Sequence, residues 1–202
     1  MTAIDVFAQS PHIVTERLVL RQITLDDADA LYATFSDEIV MEWYGEAVHR
    51  SLDDSRDLIR RQQAWYARRE GIRWGIALKG EHVVIGSCGL YNFDEESHRA
   101  ETGYELRRAS WRQGIMREAM SAMLGFAFGP MELHRVEALT DGRNTRSQGL
   151  LGNLGFTHEG TLRQRFWYQG DYHDDWYFGL LNYEWPASAI ATVEYSLGEA
   201  TT

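Results

Sequence analysis

The run Tyr104-Glu-Leu-Arg-Arg-Ala-Ser-Trp-Arg-Gln-Gly-Ile-Met-Arg117 joins two kinds of periodicity. Up to it, Arg99–Leu106 reads as a strand. After it, Ile115, Ala119, Met123 and Ala127 recur every four residues, with Met116, Met120 and Leu124 beside them. That spacing predicts a helix over 114–128 whose broad apolar surface packs on a sheet. Gly129-Pro130 stops the helix, and Leu133–Thr140 reads as another strand. Strand, buried helix and strand make a crossover, and a crossover helix requires a parallel neighbour in the sheet.

Outward from this unit, Arg73–Lys79, His82–Tyr91 and Arg99–Leu106 read as three successive strands. Gly80-Glu81 is a two-residue hairpin signal, and the polar turn Asn92-Phe-Asp-Glu-Glu-Ser97 separates the second pair. Further upstream, Arg17–Thr24 is a strand rich in branched residues. Thr24 and Asp27 have capping-box spacing for a short helix through Leu31 and Phe35. Residues 36–50 have no clean period and predict a loop with a turn of helix. Ser51 can cap a helix over 52–69 with Leu58, Ile59, Gln62, Trp65 and Tyr66 on one face, ended by Gly71. Downstream come a helix over Asn144–Leu154, closed by Gly155, and a last hairpin of Phe156–Trp167 and Tyr172–Glu184. The aromatic runs Phe166-Trp167-Tyr168 and Trp176-Tyr177-Phe178 read as the core of that hairpin. The expected class is α/β (α+β), with a single mixed, mostly antiparallel sheet of about seven strands flanked by about four helices. Residues 1–16 read as an irregular lead-in, 17–186 as the domain and 187–202 as a flexible tail.

A chain of 202 residues with 44% hydrophobic and 25% charged residues fits one globular domain and excludes a disordered one. A lone cysteine, Cys88, excludes a disulfide framework and a cysteine zinc site, and it agrees with a reducing cytoplasm. The N-terminal stretch lacks the basic start and apolar run of a signal peptide. No run approaches 18 apolar residues, so a cytoplasmic protein without a membrane span is expected. The net charge of −10 disfavours nucleic acid and anionic lipid as partners. Residues 107–146 break the trend, with seven arginines against four acids. Such a positive island suits a compact anion, and the acidic remainder suits a cationic partner.

The turn before the 114–128 helix leaves backbone N–H groups unpaired at the positive end of a helix dipole, a ready phosphate site. Arg112 and Arg117 could add charge-assisted bonds. The segment has neither GxxxxGK[ST] nor GxGxxG, which excludes a P-loop and a dinucleotide fingerprint. No GxSxG elbow occurs either. Cys88 lies mid-strand with no evident histidine partner and reads as structural. Asp171, His173, Asp174 and Asp175 alternate on a hairpin, where neighbouring side chains diverge, so no metal is expected there.

The order of elements and six local words resemble the GNAT N-acetyltransferases, specifically the RimJ/RimL-like group. The words are Glu101-Thr-Gly-Tyr-Glu-Leu106, Trp111-Arg-Gln-Gly114, His134-Arg-Val-Glu-Ala138, Asn144-Thr-Arg-Ser147, Leu154-Gly-Phe156 and Gly170-Asp-Tyr172, spread from about Glu16 to Trp185. The family's loop usually continues W-x-x-G-x-A/G. Met116 stands here at the last position, which bears on how closely phosphates approach the helix backbone.

The resemblance implies acetyl-CoA as co-substrate, with its pyrophosphate at Arg112, Gln113, Gly114, Ile115, Met116 and Arg117. The pantetheine arm would lie along the strand end at Leu106 and Arg107, held also by Asn144. It implies direct acetyl transfer to a primary amine, a protein N-terminus or a small amine. The backbone N–H at or near Leu106 would serve the oxyanion, Glu101 would be the base through water, with Glu105 in reserve, and Ser147 would lie by the departing sulfur. Ser147 can equally bond the backbone at N3, and Glu101 can equally be a salt-bridge partner. Glu42, Trp43 and Tyr44 would form the acceptor wall, with Glu42 and Glu46 suiting a cationic amine. A homodimer is compatible. The alternative activity is a non-catalytic coenzyme-A-binding or regulatory module of the same fold.

Overall fold

Gly80, at φ +87°, turns β3 (Gly71–Leu78) into β4 (Val84–Asp94), a conformation a residue with a Cβ adopts only under strain. The computed structural model describes residues 5–168, 170–186 and 194–197. β4 pairs antiparallel with β5 (Arg99–Leu106), which leads through a 3-10 turn at Arg108–Ser110 into α4 (Ile115–Phe128). The chain returns as β6 (Arg135–Asp141), parallel to β5, completing the crossover expected from residues 104–117. α5 (Thr145–Asn153) follows, then the hairpin of β7 (Thr157–Tyr168) and β8 (Asp171–Leu181), which joins the sheet through β8 on β6. β2 (Leu18–Gln22) pairs with β3 on the other flank.

The two faces of the sheet bury different sets. α4 covers one, where Met120, Met123, Leu124 and Phe126 meet Trp74, Leu90, Ala100 and Val136. Met120 and Met123 are fully enclosed, and burial of each contributes about 1.5–3 kcal/mol. On the other face α1 (Ala28–Phe35) and α3 (Leu52–Ala67) pack Leu31, Phe35, Leu58 and Ile59 against Ile23 and Val84. The Thr24 amide donates to Asp27 and the Asp54 amide to Ser51, so both expected caps form.

The structure departs from expectation at the edges. β1 (Pro11–Val14) lies inside the segment read as an irregular lead-in, and β9 (Glu194–Leu197) inside the expected flexible tail. Each is four residues long and pairs with the other, Pro11 opposite Leu197. With the order β7-β8-β6-β5-β4-β3-β2-β1-β9, the described residues hold nine strands rather than about seven. The remainder of the expected tail, 187–193 and 198–202, lies outside the described residues. A fifth α-helix, α2 (Glu38–Met41), is the helical turn expected in 36–50. α3 ends at Ala67, before Arg69 turns at φ +61°, and Gly71 begins β3 rather than closing the helix. Trp65, expected on the buried face, is 38% exposed. Trp167, expected in the hairpin core, instead stands at the exposed tip, edge to face with Tyr172. Among the described residues no helix is long and apolar enough to cross a membrane.

Candidate active site

β5 and β6 pair only from Arg99–Arg135 to Thr102–Ala138, yet both strands run on, so they separate as a fork. The Arg107 amide donates to Ile85 O on β4 at 2.8 Å. Alternation along the strand therefore turns the N–H groups of Tyr104 and Leu106 to the other edge, into the fork. Trp111 Nε1 donates to Leu106 O at 2.6 Å. The amides of Tyr104 and Leu106 thus face a gap between strands, where an extended ligand could pair as a strand does.

The loop closing the fork carries the N-terminus of α4. Gly114, at φ +73°, is its N-cap, and the first intrahelical bond runs from the Glu118 amide to Gly114 O. The amides of Ile115, Met116 and Arg117 are therefore free to meet an anion. Arg17 fixes the loop from outside, donating to Gln113 O at 3.1 Å and pairing with Glu118 at 2.5 Å. A cavity of about 560 Å3 lies beside these amides. Arg112, Arg117 and Arg146 line it, and none has an acidic partner among the described residues; the Arg146 guanidinium lies 4.7 Å over the Trp111 ring. This donor set fits the phosphate-bearing coenzyme that the resemblance implies.

α5 supplies the opposite wall. Asn144 caps it by accepting from the Ser147 amide at 3.1 Å, which leaves the Asn144 NH2 free. Ser147 Oγ lies 2.7 Å from the Tyr104 phenol oxygen. Burial pushes the Tyr104 phenol up to about 12, against the pull of Ser147, so it stays protonated near neutrality. Burial likewise pushes Cys88 up to about 12, a structural thiol.

The mouth of the cavity on the α1–α3 side is walled by Ile39, Val40, Trp43 and Tyr44. Three contacts hang this wall on its neighbours. Arg108 Nε pairs with Asp37 at 2.9 Å, Tyr168 Oη donates toward Met41 O and Glu46 O at 3.3 Å each, and the Arg143 guanidinium lies 5.3 Å from the Trp43 ring. Behind it, Glu105 is bound by Arg73 and Ser87 and lies beside the Tyr44 hydroxyl. Burial opposes the charge on Arg73, but Glu105 holds its pKa above the ordinary value.

Of the expected residues, the cavity gathers Glu105, Leu106, Arg112, Gly114, Ile115, Met116, Arg117, Asn144, Ser147, Trp43 and Tyr44. Met116 is only 9% exposed and packs into the core as well as the wall. Outside the wall lie Arg107, which donates to Val84 O at 3.2 Å, and Gln113, whose side chain turns back to Ala109 O. Glu42 is also outside, and Glu46 is paired with Arg61 at 3.1 Å, so the acidic lining expected for the acceptor is not assembled at this wall. Glu101 lies off the wall too, four residues from Glu105 and on the same face, because the β4–β5 register runs unshifted from Tyr91–Glu101 to Gly86–Leu106. Arg99 is taken by Asp94 and Glu137 and Arg165 by Asp175, which leaves the Glu101 carboxylate without an ion pair among the described residues. Tyr104, Arg146 and the Arg108–Asp37 pair were not singled out from sequence. Tyr104 was findable, since it shares the strand face of Leu106. His173 pairs with Asp141 in the interior, and no described cluster could hold a metal ion.

The acetyltransferase (GNAT) domain family matches residues 17–157. The uncharacterized N-acetyltransferase YoaA of Bacillus subtilis is 36% identical over 81% of this chain and 93% of its own length. The [ribosomal protein uS5]-alanine N-acetyltransferase of Escherichia coli is 27% identical over 55% of this chain and 58% of its own. Among solved structures, Mycobacterium smegmatis RimJ in complex with CoA-disulfide superposes with a TM-score of 0.78 at 23% identity, covering 91% of both chains.

Proposed function

This chain belongs to the GNAT family and is an acyltransferase, and from that premise we propose that it moves an acetyl group from acetyl-coenzyme A directly to a primary amine. The observation that carries the proposal is the fork: two strand edges diverging beside a free helix N-terminus and three arginines without an acidic partner among the described residues. The α4 amides with Arg112, Arg117 and Arg146 hold the phosphates, and the Tyr104 and Leu106 amides with Asn144 hold the pantetheine arm. Tyr104 N–H lies two residues nearer the crotch than Leu106 N–H, which suits it to the oxyanion. Acetyl-coenzyme A supplies an acyl group on a good leaving thiolate, and an amine once neutral needs no covalent enzyme intermediate. Proximity then supplies much of the acceleration.

The amine reaches the fork past Trp43 and Tyr44. An α-amino acceptor fits best, since it titrates near ~8 and is partly neutral without help. The E. coli relative acts on an alanine of a ribosomal protein, which supports a protein N-terminus among the acceptors to be tried. Glu101, without an ion pair among the described residues, takes the amine proton through water, and Ser147 donates toward the departing sulfur.

Incubation with acetyl-coenzyme A and a panel of peptide and small amines, reading thiol release and acetylated product by mass, tests the function. Turnover with α-amines is expected; thiol release with none of them defeats the proposal. Ser147→Ala should lower kcat by roughly a hundredfold with little change in coenzyme affinity. Unchanged turnover would remove Ser147 from the mechanism.

A further inference from the structure

Tyr104 and Ser147 reach one point of the cavity wall from different elements, β5 and the first turn of α5. The phenol oxygen is 2.7 Å from Ser147 Oγ and 3.5 Å from Ser147 O. Either hydroxyl can donate in the 2.7 Å contact; of the two acceptors Ser147 offers the phenol, Oγ at 2.7 Å is nearer than the carbonyl at 3.5 Å, which favours the phenol as donor to Oγ. The Ser147 amide is already committed to Asn144 Oδ1. A serine hydroxyl in a first helical turn otherwise rotates among three staggered positions and has one proton to give. Once the phenol occupies a lone pair on Oγ, that proton is the donor left to the cavity.

We propose that Tyr104 is a positioning residue for acyl transfer: its phenol donates to Ser147 Oγ and thereby aims the serine proton at the sulfur that departs. The proposal rests on the acetyltransferase reading above. As the amine nitrogen bonds to the acetyl carbon, the carbon–sulfur bond breaks and sulfur keeps the electron pair. Ser147 donates a hydrogen bond to that thiolate, and the surplus amine proton passes through water to Glu101, as in the reading above. Tyr104 and Ser147 end the cycle as they began it. Because the phenol stays protonated through neutral pH, the alignment persists across the working range.

Two measurements test this. In the first, coenzyme A itself is bound to the protein and its thiol titrated by thiolate ultraviolet absorbance. A thiol ordinarily titrates near ~8.5. Bound to the wild type it should titrate lower, and Tyr104→Phe and Ser147→Ala should each return it toward the free value. In the second, Tyr104→Phe should lower kcat about tenfold, the loss of one hydrogen bond, with KM and coenzyme affinity within about twofold. The double variant should be no slower than Ser147→Ala alone, because Tyr104 acts through Ser147. Phenylalanine keeps the packed ring, and thermal unfolding checks that the variant is folded; Ser147→Ala provides the same titration if it is not. Wild-type kcat and wild-type titration in Tyr104→Phe would overturn the proposal, as would a double variant whose losses multiply. If the wild type acetylates no amine, the function fails and the thiol titration alone decides the role of Tyr104. If it does not bind coenzyme A, both fall.

Discussion

Arg73 and Glu105 meet at the base of the cavity, their side chains 12% and 4% exposed, with Ser87 completing the group. A buried pair of this kind need not stabilise the fold relative to apolar residues, but removing one partner strands a charge away from water. Glu105→Ala should therefore cost about 3–5 kcal/mol, read as a lowered urea midpoint. Arg73→Met with Glu105→Leu should be less destabilised than either single change, because no charge is left alone. If the losses simply add, the pair is not coupled as the geometry indicates. The same arrangement explains why Glu105 is poorly placed to accept an amine proton: its oxygens already accept from Arg73 and Ser87, while Glu101 has no ion pair among the described residues. The residue pattern showed both acids on one strand, and an unbulged strand puts them on one face. Which of them was free depended on Arg73, over thirty positions away along the chain, and no local pattern reports that.

Elements with a strong period were the ones legible in advance. α4 has apolar residues around most of its surface because it is enclosed between the sheet and its neighbours, so its bounds and its crossover followed from spacing alone. β1, β9 and α2 have four residues each, too few to display a period, and each exists through partners distant in sequence. α1 lies between these cases, legible through its cap. Asp27 accepts from the Thr24 amide at 2.9 Å and from Arg21 at 2.7 and 2.9 Å. Burial alone would raise its pKa, but Arg21 and the Thr24 amide outweigh that and hold it below the usual carboxylate value. A carboxyl whose folded pKa is depressed contributes stability that is present above the unfolded value of about 3.9 and lost as pH falls through the folded one. Asp27→Asn should thus melt below the wild type at neutral pH, and the gap should close as pH drops below about 4. A gap independent of pH would show that Asp27 acts through packing alone.

At the scale of the molecule, the two halves of the candidate site are physically joined. The half proposed for the coenzyme, the fork and the α4 N-terminus, was legible because main-chain groups would do the binding there and glycine, helix start and arginines announce them. The acceptor half was legible only as the aperiodic stretch 36–50; its acids at 42 and 46 suggested a charged pocket, whereas the wall is aromatic and aliphatic. The joint is Asp37, which caps α2 by accepting from the Ile39 amide at 3.0 Å and pairs with Arg108 in the turn leading to α4. With Arg108 56% exposed, this pair contributes under about 1 kcal/mol to stability. Its consequence, under the proposed function, lies in coupling: a coenzyme bound at the 107–114 loop would act through this pair on the wall proposed for the amine. Coenzyme A should therefore tighten acceptor binding, by about fivefold or more if the coupling is of ordinary size, and linkage requires the acceptor to tighten coenzyme A by the same factor. Asp37→Ala should bring that factor toward one while Tm moves by only a few degrees, with calorimetry in the presence and absence of each ligand as the measurement. An undiminished factor in Asp37→Ala would show that the Asp37–Arg108 pair does not carry the coupling, leaving it to the Arg143–Trp43 and Tyr44–Glu105 contacts or to the two ligands touching directly.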